Sequence, residues 1–507
     1  MDIAGLLDAI LLLFTPLPFA LMVLGVVLGI VVGAIPGLTG SMLITLTLPL
    51  TFYMQSVNAI VLLVAMYVGA VSGALIGATL LRIPGTPASI MTTFDGFPMA
   101  RDGNPGRALG LGISASFFGG VLSWFFLWLL TPQLARFSIA FGPFELFSLV
   151  LMALVLIASV SEGSFVKGLI SGLLGIMVAL PGIEAATGEV RLTFGWFPLL
   201  GGLQLLPVLL GIFAVSQILE DIIDIDSRRD SVPFSRHGIL MSTRDWLRNG
   251  VNLVRSSLIG TWVGILPGVG ASVGSIMAYT TARNMSRTPE RFGTGTEEGI
   301  VASEAANNAT IGGALIPLIA LGIPGSVIDA ILIGALMIHN IQPGPMLFNS
   351  HPELVNAIIG VFLVANFVMF AIMLGAVGWI ARLMAVPRHF LFPAIMMFCV
   401  IGSFALGNRM FDVWVMLFFG VVGLGLRKAR VPLGPFVIGF VLAPIAELEL
   451  RTGLQASAGS LMPLVTRPLA CTFMVVSLTM AAWPFYRDHM RKRASNRATT
   501  AGDGTVC

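Results

Sequence analysis

Four short stretches hold the residues whose types and spacing could bind ions. AIPGLTGS (34–41), RIPGTPAS (82–89), ILPGVGAS (265–272) and GIPGSVID (322–329) each set a Pro-Gly pair beside serine or threonine. Proline removes a backbone donor and glycine relaxes the chain. In hydrocarbon, an unsatisfied backbone group costs several kcal/mol. Such breaks therefore persist only where protein or trapped water satisfies them. In return they offer helix N-termini, which suit carboxylates, and unwound carbonyls, which suit Na⁺. The candidate positions are Pro36, Gly37, Thr39, Ser41, Pro84, Gly85, Thr86, Ser89, Pro267, Gly268, Ser272, Pro324, Gly325 and Ser326.

Other polar residues lie nearby. Asn307 and Asn308 precede the last of these stretches in an apolar run. Asp329 follows Pro324 by five residues. A carboxylate within hydrocarbon costs at least about 2.5 kcal/mol and normally faces a cavity or a partner. Asp329 is thus a candidate for cation coordination or proton coupling, with a hydrogen-bonded or interfacial acid as the plainer reading. Glu145 reads as a helix-end acid and His339 as an interfacial or satisfied histidine. FDGFPMARDGNPGRA (94–108) reads as a turn-rich loop whose Arg101 and Arg107 could recruit anions. The glycines of GVVLGIVVG (25–33) read as helix packing.

These residues must be held by membrane helices. The chain has 507 residues, 56% hydrophobic and 10% charged, with mean hydropathy +0.94. A soluble domain carries about 25% charged residues. Windows long enough to cross a bilayer, roughly 20 apolar residues, run almost end to end. The fold class expected is an all-α polytopic membrane protein with about 12 transmembrane helices, some of them broken or re-entrant at Pro-Gly. The runs lack the alternation of a membrane barrel. The start, MDIAGLLDAI, has no basic region and is not read as a signal peptide. Cys399, Cys471 and Cys507 form no metal or disulfide spacing. No GxxxxGK[ST], HExxH or Cys/His cluster supports an enzyme.

The expected spans include 18–54 and 250–282, each too long for one crossing and each broken at Pro-Gly. A span or re-entrant element covers 326–341. The organisation expected is a first membrane repeat at 1–219, a cytoplasmic linker at 220–248, a second repeat at 249–484 and a basic cytoplasmic tail at 485–507. VGAIPGLTGS (32–41) aligns with VGILPGVGAS (263–272) at an offset of 231. GALIGATLLRIPGT (73–86) aligns with GALIPLIALGIPGS (313–326) at an offset of 240. The loops after the blocks swap their basic residues between halves. By the positive-inside rule this predicts inverted-topology repeats.

The assembled motifs GAIPGLTGSM, RIPGTPASIMTTFDGFPMARDGNPGRALG, GILPGVGASVGS and GIPGSVIDAILIGALMIHNIQPGPMLF resemble the large membrane subunit of the tripartite tricarboxylate transporter family. The resemblance covers essentially the whole chain. It implies a bacterial inner-membrane permease importing citrate-like tricarboxylates or related di- or aromatic carboxylates. It also implies a small membrane subunit of about four spans, a periplasmic substrate-binding protein, and a driving Na⁺ or H⁺ gradient. No other cofactor and no nucleic acid are implied. An uncoupled carboxylate channel or facilitator is the alternative.

Overall fold

The computed structural model describes residues 3–35, 37–160, 164–184, 188–223, 232–268, 270–383 and 388–482. Pro36, the middle of the expected linker and the basic tail 485–507 lie outside these residues. The described residues are all-α apart from one two-stranded hairpin, Gly182–Ile183 with Val190–Arg191. Seven helices among the described residues are long and apolar enough to cross a membrane: Pro16–Ala34, Ser56–Leu81, Pro105–Ser138, Leu205–Ile222, Pro352–Arg382, Met410–Lys428 and Leu433–Ala456. Shorter apolar helices accompany them, so the chain is a multi-pass membrane protein.

The chain divides into two compact units. One comprises Met1–Ala140 and Trp196–Ala429, the other Phe141–Gly195 and Arg430–Cys507. In the second unit, helices Pro143–Val160 and Phe165–Ala179 pack on Leu433–Ala456. Gly175 lets the backbone of Phe436 approach, since a Cβ there would meet its carbonyl oxygen at 1.9 Å. Ion pairs tie this unit together at its polar positions. Arg191 pairs with Glu447, and Arg467 Nη1 lies 3.0 Å from Glu145 Oε2. Glu145 stands in the first turn of its helix, the helix-end position expected for it.

The first unit carries the broken segments. Its helices α1 (Pro16–Ala34), α2 (Gly40–Thr51), α3 (Ser56–Leu81), α4 (Ile90–Arg101) and α5 (Pro105–Ser138) come from the first half of the chain. Helices α6 (Thr243–Ile265), α7 (Gly270–Met285), α8 (Glu297–Leu321) and α9 (Val327–Ile338) come from the second. The long segment 18–54 is thus two helices parted at 35–39, and 250–282 is divided in the same way.

Local chemistry sets each break. At the first block, the residue before proline is extended: Ile35 has ψ 117° and Leu266 ψ 118°. Proline disfavours helical geometry in its predecessor. Gly37 (φ +94°) and Gly268 (φ +72°) then take a left-handed turn. At the second block the helix ends before the proline, on a left-handed residue: Arg82 (φ 57°) after α3 and Gly322 (φ 72°) after α8. The Ile-Pro-Gly that follows is the connector, not the terminator.

The two halves pack their helices alike. A Cβ on Gly29 would strike Met66 O at 2.5 Å, and one on Gly260 would strike Ala306 O at 2.3 Å. Gly33 meets Ala70 O as Gly264 meets Thr310 O. Gly73 meets Ile30 O as Gly313 meets Thr261 O. Gly85 lies on Gly33 and Ala74, Gly325 on Gly264 and Ala314. All these pairs obey the offsets 231 and 240 of the sequence alignment. The sequence repeat is a repeat of three-dimensional contacts, and its small residues are there so that backbones can touch.

The stretch 94–108 differs from the loop expected. Residues 94–101 are helical, and only 102–104 separate α4 from α5. Its arginine is also occupied: Arg107 holds Asp245 in a bidentate pair at 2.7 Å and Glu297 at 3.0 Å. That arrangement braces the starts of α5, α6 and α8 and leaves Arg107 unsuited to capturing an anion. The element at 326–341 is a helix of 12 residues. At 1.5 Å per residue it is about 18 Å long, shorter than a hydrocarbon core of about 30 Å.

Candidate functional site

Each second break lies against the opposite half of the chain. The short turn Pro87–Ser89 packs on α7 and α8, and α9 packs on α2 and α3. This produces two half-sites, each made from one break and one long helix of the other half.

The first half-site gathers around the start of α9. Ser326 is its N-cap, with Oγ accepting from the Asp329 backbone N–H at 3.3 Å. Such caps satisfy an orphan donor and are favoured at this position. Tyr67, from the middle of α3, places its hydroxyl 3.1 Å from Ser326 Oγ. The carboxylate of Asp329 is fully buried and neither oxygen has a hydrogen-bond partner. Gly40, the first residue of α2, lies against Ala70 and Ile328. The start of α2 thus abuts the start of α9. Thr39 caps α2, accepting from Met42 N at 3.2 Å, and its hydroxyl is 3.0 Å from Ser41 Oγ.

The second half-site forms where the first half's break meets α8. Ser89 Oγ donates to Thr86 O at 2.8 Å and accepts from Thr86 N at 3.2 Å, closing the turn. One helical turn on, Thr92 Oγ1 donates to Glu304 and lies 3.0 Å from Ser303 Oγ. Ser116 Oγ donates to the other oxygen of Glu304 at 3.1 Å. Asn307 is buried beside this acid, its side-chain oxygen without a hydrogen-bond partner. Asn308 turns elsewhere and accepts from Ser72 at 2.7 Å.

The sequence positions therefore separate into groups. Thr39, Ser41 and Gly37 flank the start of α2, while Ser326 and Asp329 open α9. Thr86, Ser89 and Asn307 belong to the second half-site. Pro84 and Pro324 sit in the connectors, and Gly85 and Gly325 are close-packing points. Gly268 N donates to Gly325 O at 2.9 Å, which ties the two breaks of the second half together. Ser272 lies in the first turn of α7 beyond Pro267. Pro36 lies outside the described residues. His339 caps the end of α9.

Five participants escape the sequence reading: Tyr67, Glu304, Thr92, Ser116 and Ser303. Glu304 carried the clearest signal, being an acid in the apolar run VASEAANNAT, one helical turn before Asn307 and Asn308 and so on their face.

A model of the tripartite tricarboxylate transporter TctA family matches residues 19–438, which includes both half-sites. The chain belongs to this family. It is similar to an uncharacterized 52.8 kDa protein of the TAR-I ttuC′ 3′ region of Agrobacterium vitis, 33% identical over 79% of this chain and 80% of that protein. A second uncharacterized protein, of the TAR-II ttuC′ 3′ region of the same organism, is 34% identical over 43% of this chain and 90% of its own length. No solved structure matches the chain. The family is one of tripartite transporters, so the chain is a transport component with partner subunits.

Proposed function

We propose that this chain is the permease of a secondary transporter that imports carboxylates, citrate-like tricarboxylates or related di- or aromatic acids, driven by Na⁺ or H⁺. It works in the bacterial inner membrane with its C-terminus in the cytoplasm. A small membrane subunit and a periplasmic binding protein complete it. About 12 crossings in two inverted repeats supply the frame, and alternating access arises from movement between them.

One observation carries this reading: Asp329, fully buried and without a partner for either oxygen, at the mouth of a helix break. A charge so placed costs at least about 2.5 kcal/mol. The group is kept because a cation or a proton neutralises it during the cycle. The starts of α2 and α7 supply backbone N–H groups that lack intrahelical acceptors. With Thr39, Ser41 and Ser272, these N–H groups suit the carboxylates of the substrate. Bound cation and bound anion then favour each other, which is the energetic basis of symport.

The test is uptake into proteoliposomes holding the chain and its small membrane partner, with the binding protein outside. Accumulation of a labelled carboxylate should collapse when the Na⁺ and H⁺ gradients are dissipated. Equilibration at an unchanged rate without either gradient would instead mean an uncoupled facilitator.

A further inference from the structure

The second half-site contains an acid that the account above leaves unused. Glu304 is fully buried, seven residues into α8. Its partners are neutral hydroxyls, Thr92 on one oxygen and Ser116 on the other. Among the described residues it has no basic partner. Thr92 in turn touches Ser303 at 3.0 Å. Asn307, only 1% exposed, lies alongside Glu304, and its side-chain oxygen has no hydrogen-bond partner. A buried carboxamide normally finds a partner.

We propose that Glu304, Thr92, Ser116, Ser303 and Asn307 form a second alkali-cation site, which takes Na⁺ independently of Asp329. The donor set consists of hard oxygens, and no thiolate or imidazole joins it. Such a set suits a hard cation rather than a transition metal. No group of three or more His, Cys, Asp or Glu occurs among the described residues, so a polyvalent ion would lack the charge to hold it. One carboxylate balances one monovalent ion. The free oxygen of Asn307 is the ligand that has no other employment in the fold.

The repeat supports the assignment. At the offset of 240, Asn307 corresponds to Tyr67, whose hydroxyl meets the opposite half's second break at Ser326. Glu304 corresponds to Val64, and Asp329 corresponds to Ser89. Each half-site therefore holds one acid. In one it comes from the helix after the break, in the other from the long helix opposite. The pairing would be redundant if a single site served both.

The role of this site rests on the coupled-transport reading; its existence does not. The experiment is binding of radiolabelled Na⁺ to the purified full-length chain in detergent, with choline as the competing salt and no carboxylate present. Two Na⁺ per chain are expected, and one in either Glu304→Gln or Asp329→Asn. Asn307→Ala keeps the acid and should weaken one of the two sites about tenfold, with an unchanged melting temperature as the folding control. Wild-type stoichiometry in Glu304→Gln would overturn the proposal. So would a chain that binds no Na⁺ and instead takes up protons, read with a pH indicator. If Glu304→Gln loses one Na⁺ while uptake ignores every gradient, the site stands and the transport reading falls. If uptake is gradient-driven and the variant binds Na⁺ normally, the reverse holds.

Discussion

The Tyr67 hydroxyl lies 3.1 Å from Ser326 Oγ, joining an unbroken helix of one half of the chain to a break in the other. The contact is specific because Ser326 is also the cap of α9, whose third residue is the unpartnered Asp329. Removing the phenol therefore loosens a cap as well as a cross-repeat link. In a double-mutant cycle, Tyr67→Phe and Ser326→Ala should couple by about 0.5–1.5 kcal/mol in thermal unfolding. Additive losses would mean that the hydroxyls do not cooperate.

Backbone contact in the two halves should respond alike to added bulk. Gly29→Ala and Gly260→Ala place a methyl within 2.5 Å of a carbonyl in equivalent helix pairs. Overpacking of this kind costs about 1–3 kcal/mol, and a lowered melting temperature should report it for both. Gly250 has no atom near its missing Cβ, so Gly250→Ala should be neutral or gain about 0.5–1 kcal/mol.

The helix ends at the second breaks should depend on the left-handed residue more than on the proline. Gly322→Ala forces a Cβ at φ +72° and brings it 2.7 Å from Pro343 O. It should destabilise the fold by about 1–3 kcal/mol. Pro324→Ala removes only the stiffness of the connector. It should impair uptake while leaving insertion and expression normal. Normal uptake kinetics would count against a role for that break in the site.

The Arg107 pair gives the protein a pH dependence at its polar edge. The two hydrogen bonds from Arg107 hold the Asp245 carboxyl well below the usual carboxylate range. Since the folded value is depressed, the stabilisation is complete above the unfolded pKa of about 3.9. It is lost as pH falls from there toward the folded value. Asp245→Asn should cost on the order of 1–3 kcal/mol at neutral pH. The gap to the parent should shrink below about pH 3 in acid unfolding. A gap independent of pH would show that the pair contributes no charge-dependent stability.

Hydropathy and the repeated Pro-Gly blocks made the class, the breaks and the packing glycines legible in the sequence. Periodicity could not place α4, because the three glycines, two prolines and two acids of residues 94–108 read as turns. One acid of that segment, Asp95, accepts from Tyr279 at 2.8 Å and from three backbone N–H groups of 293–296 at 2.9 Å. Its polarity serves a tertiary contact some 200 residues away, which no local pattern encodes. Glu304 was missed for a related reason. α8 begins at Glu297 and buries it two turns in, where only tertiary packing reveals its partners. Asp329 stood out because its surroundings are apolar in sequence as well as in space. The crossing of each break onto the opposite half is purely tertiary, since it joins residues such as Tyr67 and Ser326.

The central claim is that the unpartnered carboxylate of Asp329 couples an ion to carboxylate movement, and Asp329→Asn tests it most directly. The amide keeps the shape and removes the charge, so the variant should insert and fold. In proteoliposomes with both partner subunits, labelled carboxylate should enter to equilibrium. It should not be concentrated when an inward Na⁺ or H⁺ gradient is imposed, whereas the parent chain should accumulate it. Gradient-driven accumulation by Asp329→Asn equal to that of the parent, with the same Na⁺ and pH dependence, would contradict the account.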